Sequence, residues 1–225
     1  MFIKYFWLWL IGVTSLIVSG CATTQISKNV NTQQYYEMAI SDAAIIEVSE
    51  IIPLPVIKSE SVIVVSWTKY PNSYPEGEII NLDWSPWVTL DGEVKKACKN
   101  FKKNTLKENI QQLLGLPANH DEDRSFVTLN VNSVSIFRPC ANPSVTDEKC
   151  LQELPKDISL EHAKWFAKQT SKAYKRPEGF PWTRLGYTYN WKAGENEVGL
   201  AEFVIKKGAF VKTLSVVDTK TYCSN

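Results

Sequence analysis

Hydrophobic and polar positions along the chain recur with two periods, and the switches between them mark the elements. Ser61-Val-Ile-Val-Val-Ser-Trp67 is a compact β-branched run and predicts a strand. Ile79 to Trp84 and Trp87 to Leu90 predict two short strands, with Asp91-Gly92 as turn punctuation after the second. Phe126 to Phe137 alternates through Val127, Leu129 and Val131, then Val134 and Ile136. The phase slips at Asn132-Ser133, as a β-bulge would require. Thr183 to Trp191, Val198 to Ile205 and Ala209 to Val217 predict a closing meander, with Gly194 and Lys207-Gly208 in its turns.

Helical spacing appears twice among these strands. Thr105-Leu-Lys-Glu108 has the capping-box pattern, Leu106, Ile110, Leu113 and Leu114 follow on one stripe, and Gly115 and Pro117 stop the helix. Ser159 can cap a second helix running to about Lys175, with Leu160, Ala163, Phe166, Ala167 and Ala173 or Tyr174 on its stripe. Ile51-Ile-Pro-Leu-Pro-Val56 is apolar, but its two prolines suit an edge or a wrapping segment better than a central strand. Tyr70 to Gly77 reads as a turn-rich loop. Strands with two interposed helices and no βαβ rhythm predict an α+β domain around a mostly antiparallel sheet.

The N-terminus follows another pattern. Lys4 precedes an apolar stretch from Phe6 to Val18, broken only by Gly12, Thr14 and Ser15. That is the layout of a secretory signal, and the small polar residues after it argue against a membrane span. Residues 22 to about 34 are mainly Thr, Gln, Asn, Ser and Lys, which predicts a flexible tether. The expected organisation is a signal over 1–20, a tether over 21–34 and one globular domain over 35–225.

Val18-Ser19-Gly20-Cys21 closely resembles the lipobox of bacterial lipoproteins. The resemblance implies that the Cys21 thiol receives a diacylglycerol, that the signal is cut before it, and that the new amine takes an acyl chain such as palmitate. By that family's sorting rule Ala22 favours the outer membrane, with the domain facing the periplasm or the cell surface. Several acyl chains hold a protein on a bilayer far better than one.

Composition narrows the function class. The 225 residues carry 25 Lys+Arg against 24 Asp+Glu, so the excess positive charge that marks a nucleic-acid binder is missing. Lys4 is the one charged residue of the signal, and its removal leaves the side chains balanced. With Cys21 committed to lipid, Cys98, Cys140, Cys150 and Cys223 remain, an even number that reads as two disulfides in an oxidising compartment. Four cysteines allow three connectivities. Cys140–Cys150 is favoured, because the polar, Pro-containing loop between them suits a bridge, and it leaves Cys98–Cys223 to staple the C-terminus. No Cys-x-x-Cys occurs, and His120 and His162 lie far from any cysteine in sequence, so neither a metal nor a cofactor is expected.

Candidate chemistry is sparse. The chain has no Gly-x-Ser-x-Gly, His-Glu-x-x-His, P-loop or dinucleotide fingerprint. His162, beside Glu161 and one turn from Trp165, reads as a partly exposed helix histidine. His120-Asp-Glu-Asp123 lacks the spaced ligands and central Gly of a calcium loop and reads as a solvated acidic loop. Aromatic supply is richer: Trp67, Trp84, Trp87, Trp165, Trp182 and Trp191 follow the signal. Alternation puts Tyr187, Tyr189 and Trp191 on one strand face near Trp182. Exposed, that face would stack on sugar rings or a peptide; buried, it is core.

Leu200-Ala-Glu-Phe-Val-Ile-Lys-Lys-Gly-Ala-Phe-Val-Lys-Thr-Leu-Ser-Val216 is similar in outline to the late segment of ADP-ribosyltransferases. That resemblance implies Glu202 as the catalytic glutamate, Ser133-Val-Ser135 as the serine strand and Arg124 as the upstream arginine. Leu200 departs from it, standing where that family carries Glu or Gln. The leading expectation is a lipid-anchored domain that binds an envelope partner, protein or glycan. An envelope enzyme, transferase-like or glycan-hydrolysing, is the alternative.

Overall fold

A computed structural model describes residues 22–118 and 122–224. The expected α+β architecture is present, with an eight-stranded sheet in which every neighbouring pair is antiparallel. In chain order the elements are α1 (Ala22–Asp42), β1 (Ser61–Thr68), β2 (Ile79–Asn81), β3 (Trp87–Leu90), α2 (Asp91–Cys98) and α3 (Leu106–Leu113). They continue with β4 (Ser125–Asn132), β5 (Ile136–Phe137), α4 (Leu160–Ala173), β6 (Tyr187–Tyr189), β7 (Val198–Ile205), β8 (Phe210–Asp218) and α5 (Thr219–Ser224). The sheet order is β2-β8-β4-β1-β3-β7-β5, and β6 also pairs with β7. No helix among the described residues is long and apolar enough to cross a membrane.

The closing meander forms only in its first half: β6 pairs antiparallel with β7 as expected, but β7 does not pair with β8. β7 and β8 are separated in the sheet by β3, β1 and β4, although only Lys206–Ala209 joins them. In a flat sheet that gap is four strand spacings, ~19 Å, plus a large offset along the strands. Residues 205 to 210 reach at most about 18 Å when fully extended. The sheet must therefore curl until its two ends meet. Gly208 makes the corner with φ of +84°, a left-handed conformation that glycine adopts without strain. Its N–H donates to the Leu82 carbonyl across the junction at 2.6 Å.

Strand alternation then sorts residues into two layers. Val64, Val127, Leu129, Val131, Phe203, Ile205 and Val211 fill the inside of the curl, drawing on both ends of the sheet. Val65, Trp67 and Phe126 face the other way, against Val94 of α2, Ile110 of α3 and Tyr222 of α5. Phe126 stacks on Tyr222 at 4.0 Å, and Trp67 Nε1 donates to Thr219 Oγ1 at 2.9 Å. Both favoured disulfides are formed, Cys98–Cys223 across this helical layer and Cys140–Cys150 within its loop.

Other local expectations change for identifiable reasons. Asp91-Gly92 opens α2 instead of closing a turn, because Val94 and Cys98, one helical turn apart, bury their side chains there. The Thr105 capping box does not form: a 3-10 turn precedes α3, and the Thr105 hydroxyl accepts from Asn109 Nδ2 at 3.0 Å. The slip at Asn132-Ser133 is a 3-10 turn over Ser133–Ser135, capped by Asn132 Oδ1. The bulge lies instead between Thr128 and Leu129, opposite β8. Residues 22–34, expected as a flexible tether, are helical as the first part of α1. The helix docks from Tyr36 onward, with Tyr36, Ala39, Ile40 and Ala43 against Tyr189 and Trp191. A docked half already holds the helical nucleus, so extending it through polar residues costs little. The expected signal and Cys21 lie outside the described residues.

Candidate binding groove

The groove begins at the N-terminus of α4. Ser159 caps that helix by accepting from the His162 N–H at 3.2 Å, as its sequence position predicts. His162 and Trp165, three residues apart, then share a helix face. Trp165 packs on Trp87 and Trp182, and Phe137 of the edge strand β5 stands edge-on to it at 4.8 Å. His162 stacks on Trp165 at 5.5 Å and is buried, not partly exposed as expected.

Its ring Nε2 lies 2.8 Å from the Cys140 carbonyl. A carbonyl only accepts, so Nε2 carries the proton and Nδ1 keeps its lone pair. Burial pushes the His162 pKa down, against a smaller upward pull from that hydrogen bond, so the ring is neutral near pH 7. Among its described hydrogen bonds the ring engages neither a hydroxyl nor a carboxylate.

Opposite α4 stands the Cys140–Cys150 loop. Asn142 organises it, donating to Asp147 Oδ2 at 2.7 Å and accepting from the Leu151 N–H at 2.5 Å. Between this loop, β5 and the start of α4 runs a groove of about 820 Å³. Val134, Phe137, Pro143, Ile158 and Trp165 give it apolar walls, while Asp157, Glu161, Lys206 and Lys207 supply charge. β5 is two residues long and pairs with β7 on one side; on the other side the Arg138 N–H after it donates to the Pro143 carbonyl at 2.9 Å, so the groove runs along a short sheet edge that the loop partly covers.

The sequence-predicted site residues lie elsewhere. Trp182, Tyr187, Tyr189 and Trp191 are all buried, so the candidate aromatic face is core. α1 covers Tyr189 and Trp191, the segment around Glu50 and Leu54 covers Tyr187, Trp165 and Phe166 of α4 pack on Trp182, and each polar tip is engaged. Trp182 Nε1 donates to the Pro139 carbonyl, Tyr187 Oη to that of Glu50, Tyr189 Oη to Asp42 Oδ2, and Trp191 Nε1 to the Leu116 carbonyl, at 2.8–3.0 Å.

The transferase-like set is not assembled. Glu202 sits mid-sheet in one cross-strand row with Thr89, Val65 and Thr128. That row puts it three strand spacings from β4, roughly 14 Å along the sheet. Arg124 precedes β4 and pairs with Glu122 at 2.8 Å. Ser135 lies at the other end of β7, its carbonyl accepting from the Lys206 N–H. The Leu200–Val216 outline is also no hairpin, since β7 and β8 do not pair.

Of the acidic loop, His120 and Asp121 lie outside the described residues. Glu122 pairs with Lys69 and Arg124, and Asp123 with Lys107. A different carboxylate cluster, absent from the sequence reading, joins Asp42, Glu50 and Glu197, whose oxygens lie within 4.8 Å of one another.

No protein-family model, no curated protein and no solved structure matches the chain. The groove therefore stands on its own geometry. Sequence reading missed Phe137 and Trp165 as its wall, although the Ser159 cap and the His162/Trp165 spacing were visible signals.

Proposed function

We propose that the protein is a lipid-anchored lipoprotein of the bacterial outer membrane whose domain binds an extended segment of an envelope protein. The observation that carries the binding half is the groove beside β5. A sheet edge next to apolar and aromatic walls suits a partner strand, whose backbone adds to the edge while alternate side chains enter the walls. Anchoring rests on Val18-Ser19-Gly20-Cys21 and agrees with two disulfides in an oxidising compartment. Lipidation would confine the groove near the bilayer and raise its effective concentration for neighbouring proteins.

The two halves are tested separately. Cys21→Ser should abolish incorporation of labelled palmitate and move the protein out of the membrane fraction; retained labelling overturns the anchor. For the groove, a photo-crosslinker at Val134, which is 73% exposed, should capture one protein in intact cells. Ser144→Arg, which plugs the groove, should cut that capture at least tenfold, a loss of about 1.4 kcal/mol or more. Ile63→Arg, an exposed position on the helix-bearing face of β1, should leave it unchanged. Equal capture by the Ser144 variant, or recovery of glycan in place of protein, overturns the reading.

A further inference from the structure

The groove beside β5 has two chemically different ends. Lys206 and Lys207 stand where β5 begins, the Lys206 N–H donating to the Ser135 carbonyl and its Nζ to that of Val134 at 2.7 Å. Past the end of β5, where His162 meets the Cys140 carbonyl, stand Asp157 and Glu161, both exposed. Neither carboxylate makes a salt bridge or a side-chain hydrogen bond among the described residues. The rings of His162, Trp165 and Phe137 form a corner beside them, with centroids 4.8–5.6 Å apart.

His162 distinguishes this end. The residue is only 7% exposed, yet one ring nitrogen is left without a partner. Nε2 donates to the Cys140 carbonyl, so Nδ1 is the acceptor of the neutral ring. Nδ1 has no hydrogen bond among the described residues, and it is not among the unpartnered atoms sealed from solvent. The groove that His162 lines is the opening left to it. A buried acceptor is costly without a donor, so whatever fills this end must present an N–H or an O–H.

Three requirements thus coincide: a donor for Nδ1, positive charge for two free carboxylates, and a flat surface for the rings of Phe137 and Trp165. A guanidinium meets all three, being planar, permanently charged and equipped with five N–H donors. We propose that the α4 end of the groove is a pocket for an arginine side chain of the bound segment, with His162 Nδ1 as its acceptor. One N–H would serve Nδ1 and leave others for Asp157 and Glu161, while the plane rests on the aromatic corner. Lys206 and Lys207 repel that arginine from the opposite end. The pocket stands on its own geometry; only the bearer of the arginine, an envelope protein, rests on the function proposed above.

Nuclear magnetic resonance on the full purified chain, with isotope-labelled histidine and tryptophan, tests this at neutral pH. Nα-acetyl-arginine amide, the probe, should move the His162 Nδ1 and Trp165 indole signals saturably and leave that of Trp191, under α1, in place. Nα-acetyl-citrulline amide, which keeps the shape without the charge, should bind about tenfold more weakly, and Nα-acetyl-lysine amide, without the planar fork, less tightly than arginine. Asp157→Asn/Glu161→Gln, both exposed positions, should weaken arginine binding about tenfold. Signals that do not move, equal binding of either analogue, or undiminished binding by the double variant overturns the pocket and leaves water as the donor to Nδ1. Loss of protein capture at Val134 with arginine binding intact would instead strike the envelope-partner reading and leave the pocket standing.

Discussion

Glu202 shows what a single side chain contributes in this fold. It lies on β7 beside Thr89 with its carboxyl buried, and burial pushes its pKa up to about 8. Between the ordinary carboxylate range and that value, the native state holds a proton that the unfolded chain releases. Stability therefore falls as pH rises through this window, by on the order of a few kcal/mol in total. Glu202→Gln removes the titration. Its denaturation midpoint should fall less steeply than wild type's from pH 5 to 9 and should exceed wild type at pH 9; a wild-type slope in the variant would refute the assignment. Arg138 is the cationic counterpart, fully buried with its guanidinium over Phe203, and burial lowers its pKa to about 10. Neither position announces itself in the sequence. A strand pattern says which side of a sheet a residue takes, not whether a helix or loop will cover that side.

At the scale of elements, the same difference separates α1 from α4. The α4 start was legible because its signal is local: a serine, then a helical stripe, with the hydrogen bond formed between neighbours. The first half of α1 carries polar residues that favour no element, and its helicity follows from docking at Tyr36, Ala39, Ile40 and Ala43. Ile40, 1% exposed, should therefore control the whole arm. Ile40→Ala should cost about 2–4 kcal/mol of arm docking. It should red-shift and quench the emission of Trp191, whose ring meets Tyr36 edge-on at 5.5 Å. Unchanged emission together with unchanged stability would show that α1 does not cover the β6 face. The candidate aromatic residues were misplaced for this reason: their strand and alternation were readable, but the helix that buries them comes from some 150 residues earlier in the chain.

For the whole molecule, the decisive contacts are long-range. Cys98–Cys223 closes a sequence separation of 125 residues and ties α2 to α5 across the helical layer. In the chain-entropy model such a loop contributes about 5 kcal/mol, against about 3 for the ten-residue separation of Cys140–Cys150. The Cys98→Ser/Cys223→Ser double variant should thus lose more stability in chemical denaturation than Cys140→Ser/Cys150→Ser. The reverse order would show that the short bridge carries more than loop closure. Curling of the sheet belongs to this scale too. The closing strands read as a meander because sequence neighbours usually pair. Here β8 finds β2 and β4 instead, which lets one core be filled from both ends of the sheet.

The amino-acid pattern alone determined the α+β class, most strand and helix cores, the parity of the cysteines and the lipobox resemblance at Cys21. All of these depend on residues close together in the chain or on simple counting. Only the tertiary structure decided which strands are neighbours, which aromatic residues are covered, and which carboxylates meet. The groove beside β5 and the cluster of Asp42, Glu50 and Glu197 each join distant segments. Their existence depends on how a curled sheet brings those segments together, and no local periodicity encodes that distance.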